Sequence, residues 1–194
     1  AADSMIFDLE DSVPLNAKAE ARQNVQQVLA LGLKKPMYLR ISNPRAGDYL
    51  ADLGVLHNQS LVNVAGVALP KADDAQDIET VSKALQDIEL KAGVAVGSLS
   101  ILPMIETCLG LRNSFDIAKS SKRVSGMALA SAEEGDFMVD LGGRWTPRNL
   151  ALTYPRSKLV VDSRAAGVER IVDGVFMNLK YTQLLREECL IARE

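Results

Sequence analysis

The stretch Met5-Ile6-Phe7-Asp8-Leu9-Glu10-Asp11-Ser12-Val13-Pro14-Leu15-Asn16-Ala17-Lys18-Ala19-Glu20-Ala21-Arg22 decides how the fold is read. An apolar run ends in three carboxylates, Asp8, Glu10 and Asp11. A proline follows, then a segment of alanine and charged residues that includes Glu20. This is a strand, an acidic turn and a helix. Carboxylates at the end of a buried strand cost desolvation unless a cation or a hydrogen-bond donor meets them. One βα unit therefore predicts both an architecture and a site at its rim.

The unit recurs along the chain. Apolar runs at 4–9, 37–42, 64–69, 99–105, 124–129 and 171–176 read as strands. Segments 17–31, 49–57, 75–91, 109–119, 155–166 and 182–193 read as helices. Asp73 with Gln76 resembles a capping box, and Gly32 and Gly167 stand where helices should stop. Such alternation predicts an α/β chain with a parallel sheet. Charged groups recur with the successive strands: the acidic trio, Arg40, Lys71 and Glu106 end the first four, the 133–136 loop follows the fifth, and Asp173 lies within the sixth. Groups from so many strands converge at the C-terminal rim of a (β/α)8 TIM-type barrel. An open doubly wound sheet would gather them at one switch point, and no glycine-rich nucleotide fingerprint follows any strand. The expectation is a single barrel domain over 1–194. A complete barrel takes about 250 residues. Six units are visible, so one strand is expected before Ala1 and a further βα unit after Glu194.

Composition narrows the chemistry. The net charge of -3 argues against a nucleic-acid partner. No run is apolar and long enough to span a bilayer, and a cytoplasmic location is expected. Cys108 and Cys189 are too few for a disulfide scaffold. His57 is the only histidine, which leaves acid–base work to carboxylates, Lys, Arg, Tyr or water.

Glu106 in ILPMIET and Asp136 in ASAEEGDFMVDLG follow neighbouring strands. An all-carboxylate pair suits Mg²⁺, which keeps waters and accepts substrate oxygens. The alternatives are that Glu106 caps the next helix and Asp136 is a solvated loop acid. Glu133 and Glu134 compete with Asp136 for the role. Arg40 in MYLRISNP is shaped to clamp a carboxylate or polarise a carbonyl. It can equally pair with the acidic trio, and both hold if a carboxylate orients a catalytic arginine. Lys71 in VALPKADDAQDIE has the same two roles open to it, besides that of a solvated surface lysine. Asp11 and Ser12 could instead cap the helix after Pro14. Arg156 faces either an anionic ligand or the surface. The turn from Gly142 to Pro147 is a lid or a plain loop, Cys108 is expected in packing, and His57 is structural or exposed.

FDLEDSVPLNAKAEAR, LRISNP, VALPKADDAQDIE, ILPMIET with LGLRN, the acidic loop with DF and VDLGGRWT, and YPRSKLVVDSRAAGVERIVDGVF occur in this order. Together they resemble the citrate lyase β-subunit family, within the larger HpcH/HpaI aldolase and malyl-CoA lyase group, over nearly the whole chain. The resemblance implies a (β/α)8 barrel in trimers or larger assemblies, with Mg²⁺ held by Glu106 and Asp136. It implies that Arg40 contacts a 2-oxo acid carbonyl and that the Asp8-Leu9-Glu10-Asp11 motif supports the site. Arg40, Glu10 and Asp11 are expected to be catalytic, with the acidic trio bracing Arg40, and Arg40, Lys71 and Arg156 to bind substrate. The substrate it implies is a CoA or acyl-carrier thioester, of citryl or citramalyl type, cleaved to an acetyl thioester and a 2-oxo acid. Other citrate-lyase-type subunits are possible partners. Malyl-CoA lyase or thioesterase chemistry, or a non-catalytic thioester-binding or assembly subunit, are the alternatives. Two departures stand out. ALASAEEGDF is longer than the family's GAEDY-like loop, and the F-V-P-G-like and G-K-x-x-I-H-P-x-Q-like segments are absent.

Overall fold

The computed structural model describes residues 2–57, 61–146, 149–178 and 180–193. Pro147 of the anticipated lid, and Ala1 and Glu194, beyond which further strands are expected, lie outside the described residues. In chain order the strands are β1 (Met5–Asp8), β2 (Met37–Arg40), β3 (Val64–Leu69), β4 (Ser100–Ile105), β5 (Met127–Leu129) and β6 (Ile171–Val172). The helices are α1 (Lys18–Ala30), α2 (Tyr49–Leu53), α3 (Ala75–Ala92), α4 (Cys108–Arg112), α5 (Ser114–Lys119), α6 (Asp136–Leu141), α7 (Thr153–Ala165) and α8 (Thr182–Arg193).

All strand pairs are parallel, and the sheet order is β1-β2-β3-β4-β5-β6. A doubly wound sheet reverses its order at a switch point; this one never does. It is also curled. Tyr38 of β2, Leu102 of β4 and Ala128 of β5 pack in one cluster with Ala65 and Met104. Arg170, just before β6, approaches the Tyr38 hydroxyl at 3.5 Å. In a flat sheet the β2 and β6 backbones would be about 19 Å apart. Cross-sheet contact at that range requires the sheet to bend around its inner face. The outer face carries the main core, in which Leu39, Val67, Leu69 and Ile101 meet Leu29, Ile78, Leu85, Ile117 and Leu159 of the helices. Close strand approach depends on Gly66, where a Cβ would lie 1.9 Å from the Ser100 carbonyl oxygen.

Four local expectations are corrected. The helix expected over 109–119 breaks at Asn113, whose side chain donates to the Asp73 carbonyl at 2.8 Å instead of facing solvent. The capping box lies one residue later than expected. Asp74 accepts from the Asp77 amide and Asp77 from the Asp73 amide, both at 3.0 Å, because the Asp73 carboxylate is engaged with Arg45 and Thr107. The fifth and sixth strands are shorter than their apolar runs, so Asp173 follows β6 rather than lying within it. Segment 49–57 is a short helix continued as a 3-10 turn (Gly54–Leu56) that ends at an exposed His57. Gly32 and Gly167 follow the ends of α1 and α7, as expected. Among the described residues, no helix is long and apolar enough to cross a membrane.

Candidate active site at the strand rim

The register between β1 and β2 sets Asp8 opposite Arg40. Arg40 grips it with two prongs, Nε to Oδ1 at 2.8 Å and Nη2 to Oδ2 at 2.5 Å. Burial pushes Asp8 upward, but the Arg40 hydrogen bonds prevail and hold it at about 2. That grip uses the Nε/Nη2 edge of the guanidinium, and Nη1 is uncommitted among the described residues. Arg40 Nη2 also lies 3.6 Å from Glu10. The turn after β1 is pinned by Lys18, which no sequence signal singles out. Its buried ammonium donates to the Leu9 and Glu10 carbonyls at 2.5 and 2.8 Å.

Lys71 follows β3 in a left-handed conformation, φ 50°. That conformation is costly for a residue with a Cβ and persists only where neighbours impose it. The SNPR segment supplies them. Asn43 Nδ2 donates to the Pro70 and Lys71 carbonyls, both at 3.1 Å, and Arg45 to the Lys71 carbonyl at 2.7 Å. The Lys71 ammonium is thereby aimed at three carboxylates: Glu10 at 3.1 Å, Asp11 at 2.8 Å and Asp136 at 3.1 Å. It is not a solvated surface lysine. Burial opposes its charge, but these carboxylates raise its pKa. Asp11 is pulled below the usual carboxylate range by Lys71 against partial desolvation, whereas burial carries Glu10 above it. Among the described residues Asp11 and Ser12 cap no helix; the residue before α1 is Ala17, without a side-chain cap.

Glu106 is the first residue after β4 and is 4% exposed. It does not cap α4, since Thr107 Oγ1 accepts from the Gly110 amide at 2.9 Å. Its Oε1 is buried with no hydrogen-bond partner among the described residues. Burial first, and then the Glu10 charge, push its pKa up to about 7 against the pull of Lys71 and Arg40. Glu106 opens into a cavity of about 570 Å³ on the inner face, together with Arg40, Asp11, Asp136 and Asp173. Leu102, Ala128 and Val172 form its apolar floor. The volume falls within the range of small-molecule sites.

Asp136 is not in a loop; it is the first residue of α6, a helix the sequence does not predict. Glu133 and Glu134 do not line this cavity. The donor set suits a hard cation: an orphaned buried oxygen on Glu106, in a cavity that Asp136 also lines, with oxygen ligands alone. No cluster of three metal-binding side chains exists among the described residues. Mg²⁺ needs only one or two carboxylates besides water and substrate, so the residues fit it.

Arg156 stands behind the cavity wall. It pairs with Asp173 at 2.7 Å and with Glu188 of α8 at 2.9 Å, and reaches the cavity only through Asp173. Asp173, legible in the sequence as a strand-end charge but not as a site residue, is also met by Ser131 Oγ at 3.3 Å. Cys108 is exposed rather than packed, and its amide donates to Asp140. Trp145 of the glycine turn packs edge-on against Phe176.

The sequence pattern of the HpcH/HpaI aldolase/citrate lyase family matches residues 1–192. Citrate lyase subunit beta of Haemophilus influenzae is 33% identical over 193 residues, covering 97% of this chain and 64% of the relative. Its counterpart in Escherichia coli K12 is 33% identical over 171 residues, covering 87% and 54%. A (3S)-malyl-CoA thioesterase of Cereibacter sphaeroides is 30% identical over 194 residues, covering 100% and 62%. The chain thus spans between 54% and 64% of the length of these relatives. Among solved structures, RipC from Yersinia pestis aligns with a TM-score of 0.79 at 24% identity, covering 99% of this chain and 79% of that one. Protein CitE from Mycobacterium tuberculosis, in complex with magnesium and acetate, aligns at 0.73 and 24%, covering 96% and 70%. A Haloferax volcanii malate synthase ternary complex with pyruvate and acetyl-CoA aligns at 0.84 and 16%, covering 100% and 55%. At these identities the solved structures speak to the fold alone.

Proposed function

The chain belongs to the HpcH/HpaI aldolase/citrate lyase family, and on that premise we propose that it is a Mg²⁺-dependent carbon–carbon lyase. Its substrate is a 3-hydroxy-3-carboxyacyl thioester of CoA or an acyl carrier, of citryl or citramalyl type. The products are an acetyl thioester and a 2-oxo acid. The six-stranded wall is part of a single (β/α)8 barrel domain, an assignment supported by its sequential order and its curl. The observation that carries the function is Glu106. A buried carboxylate whose Oε1 has no partner among the described residues, facing a cavity beside Arg40 and Asp136, suits a cation.

Glu106 and Asp136 would hold the cation, which when bound would supply Lewis-acid polarisation of substrate oxygens. Arg40, oriented by Asp8, turns its Nη1 toward the same oxygen as that oxygen passes from hydroxyl to carbonyl. A carboxylate of the Glu10/Asp11 pair takes the hydroxyl proton. Burial raises Glu10 above the usual range and so brings it closer to neutral pH, which suits proton transfer. The bond between the hydroxylated carbon and the thioester α-carbon breaks. Its electron pair passes to the thioester as an enolate, which is then protonated. Lys71 adds positive charge at the carboxylate end of the substrate. Arg156 keeps Asp173 in the wall rather than touching the ligand.

The test is to incubate the whole protein with citryl-, citramalyl- and malyl-CoA and read the products by mass spectrometry. Acetyl-CoA with oxaloacetate or pyruvate is expected, abolished by EDTA and by Glu106→Gln. Failure to cleave any thioester sinks the lyase assignment. The similarity to (3S)-malyl-CoA thioesterases over the full chain supports a second reading, thioester hydrolysis. Release of free CoA and malate from malyl-CoA, without acetyl-CoA, would favour it. Assembly as homotrimers or larger, or with other citrate-lyase-type subunits, belongs to the same proposal and is read by light scattering.

A further inference from the structure

We propose that Lys71 is an internal competitor for the cation site. Its ammonium holds Asp136, and a divalent cation binding at Glu106 and Asp136 displaces it onto Glu10 and Asp11. The inference rests on the assignment of Glu106 and Asp136 as cation ligands, and goes beyond it by giving Lys71 control over how tightly the site binds.

Three observations carry it. First, the ammonium is 3.1 Å from Asp136 Oδ2, so one of the two carboxylates offered to the cation is already neutralised from within. The other, Glu106, has no such partner among the described residues. Second, the ammonium keeps two further anchors, Glu10 at 3.1 Å and Asp11 at 2.8 Å. Leaving Asp136 therefore moves it between carboxylates rather than into solvent as an orphan. Third, its backbone is built for the task. Asn43 and Arg45 hold the Lys71 peptide in a left-handed turn that aims the side chain across the rim.

A lysine that served only to order the loop after β1 would need Glu10 and Asp11 but not Asp136, which belongs to a different element. A unit charge and a double charge of the same sign cannot share one carboxylate without strong repulsion at this range. Asp136 thus stays neutralised until a cation arrives, and binding is weakened by the work of displacing the lysine.

The test uses Mg²⁺ alone, by titration calorimetry on the EDTA-treated and dialysed protein. Lys71→Met and Lys71→Asn remove the charge, and asparagine also tolerates the left-handed backbone. Both variants are expected to bind Mg²⁺ about tenfold more tightly than wild type, and to melt at a lower temperature in EDTA. Lys71→Arg should retain wild-type affinity. On the wild-type protein, amine labelling of Lys71 read by mass spectrometry should accelerate when Mg²⁺ saturates the site. Unchanged or weaker Mg²⁺ binding by both charge-removed variants overturns the inference. So does labelling of Lys71 that ignores Mg²⁺, and this arm holds even if the variants fail to fold. If wild type binds no Mg²⁺, or Glu106→Gln binds it as well as wild type does, the cation-site assignment itself falls.

Discussion

Glu106 carries a cost that a residue kept for packing would not. Its folded pKa is about 7 against an ordinary 4.5, so the charged form is the one that folding disfavours. Below the ordinary value the group is protonated in both states and contributes nothing. The penalty grows between the two values and is complete above about 7, where it reaches roughly 3 kcal/mol. Glu106→Gln is therefore expected to raise the melting temperature at pH 8 in the presence of EDTA, and to leave it unchanged at pH 4. Equal effects at both pH values would mean that the carboxylate has a partner. Arg40 tests the other half of the site. Arg40→Lys cannot reproduce the two-pronged grip on Asp8. Turnover should fall about a hundredfold, while Mg²⁺ affinity by calorimetry stays near wild type; an unchanged rate would make Arg40 purely structural. Both residues are legible in the sequence as strand-end charges. Lys18 is not, because a lysine among alanines reads as helix surface until the Leu9 and Glu10 carbonyls are seen folded back over it.

At the level of elements, legibility follows length. β3, β4 and α3 have enough residues to display their period, and their expected bounds hold to within a residue. The six residues of α6, DFMVDL, complete fewer than two turns and give no periodic signal, so Asp136 reads as a loop acid in the sequence. The break at Asn113 is equally hidden, since it comes from a hydrogen bond to Asp73 that is distant in sequence. The spacing of β3 and β4 depends on one residue without a side chain. Gly66→Ala would place a methyl 1.9 Å from the Ser100 carbonyl oxygen, which must be relieved by separating the strands. A loss of about 1–3 kcal/mol or more is expected in urea unfolding. A variant with wild-type stability would show that the pairing is softer than its register suggests. Because β4 delivers Glu106, the same variant should also weaken Mg²⁺ binding.

The molecule has two ends with opposite electrostatic logic. Charges recurring after successive strands point to a barrel rim from the sequence alone, and the sequential parallel order agrees with a barrel wall rather than a doubly wound sheet. The rim leaves Glu106 unpaired; the region before β4 satisfies its buried charge completely. There Glu89 of α3 accepts from the amides of Gly97 and Leu99 at 2.9 and 2.7 Å, and from Arg123 through two bonds of 2.7 Å. Arg123 also donates to the Leu99 carbonyl at 2.9 Å, so the pair ties α3, the start of β4 and the approach to β5 together. Neither residue stands out in the sequence, because a glutamate late in a helix and an arginine in a loop carry no sign that they meet. Burial opposes the Glu89 charge, but Arg123 and the amides lower its pKa to about 2. A depressed carboxylate contributes its stability above its unfolded value and loses it as the pH falls through the folded one. Wild-type stability should therefore decline between about pH 5 and pH 2 more steeply than that of Glu89→Gln. At pH 7 the variant should be the weaker by about 3–5 kcal/mol, because Arg123 is left buried without its counter-charge. Urea unfolding of both proteins at a series of pH values measures this. Parallel profiles would place the acid sensitivity elsewhere, with Asp8 on Arg40 as the remaining carboxylate held at about 2. Converging profiles would show that the base of the wall, not its rim, holds the acid-sensitive pair, which leaves the rim free to keep a carboxylate unpaired for a ligand.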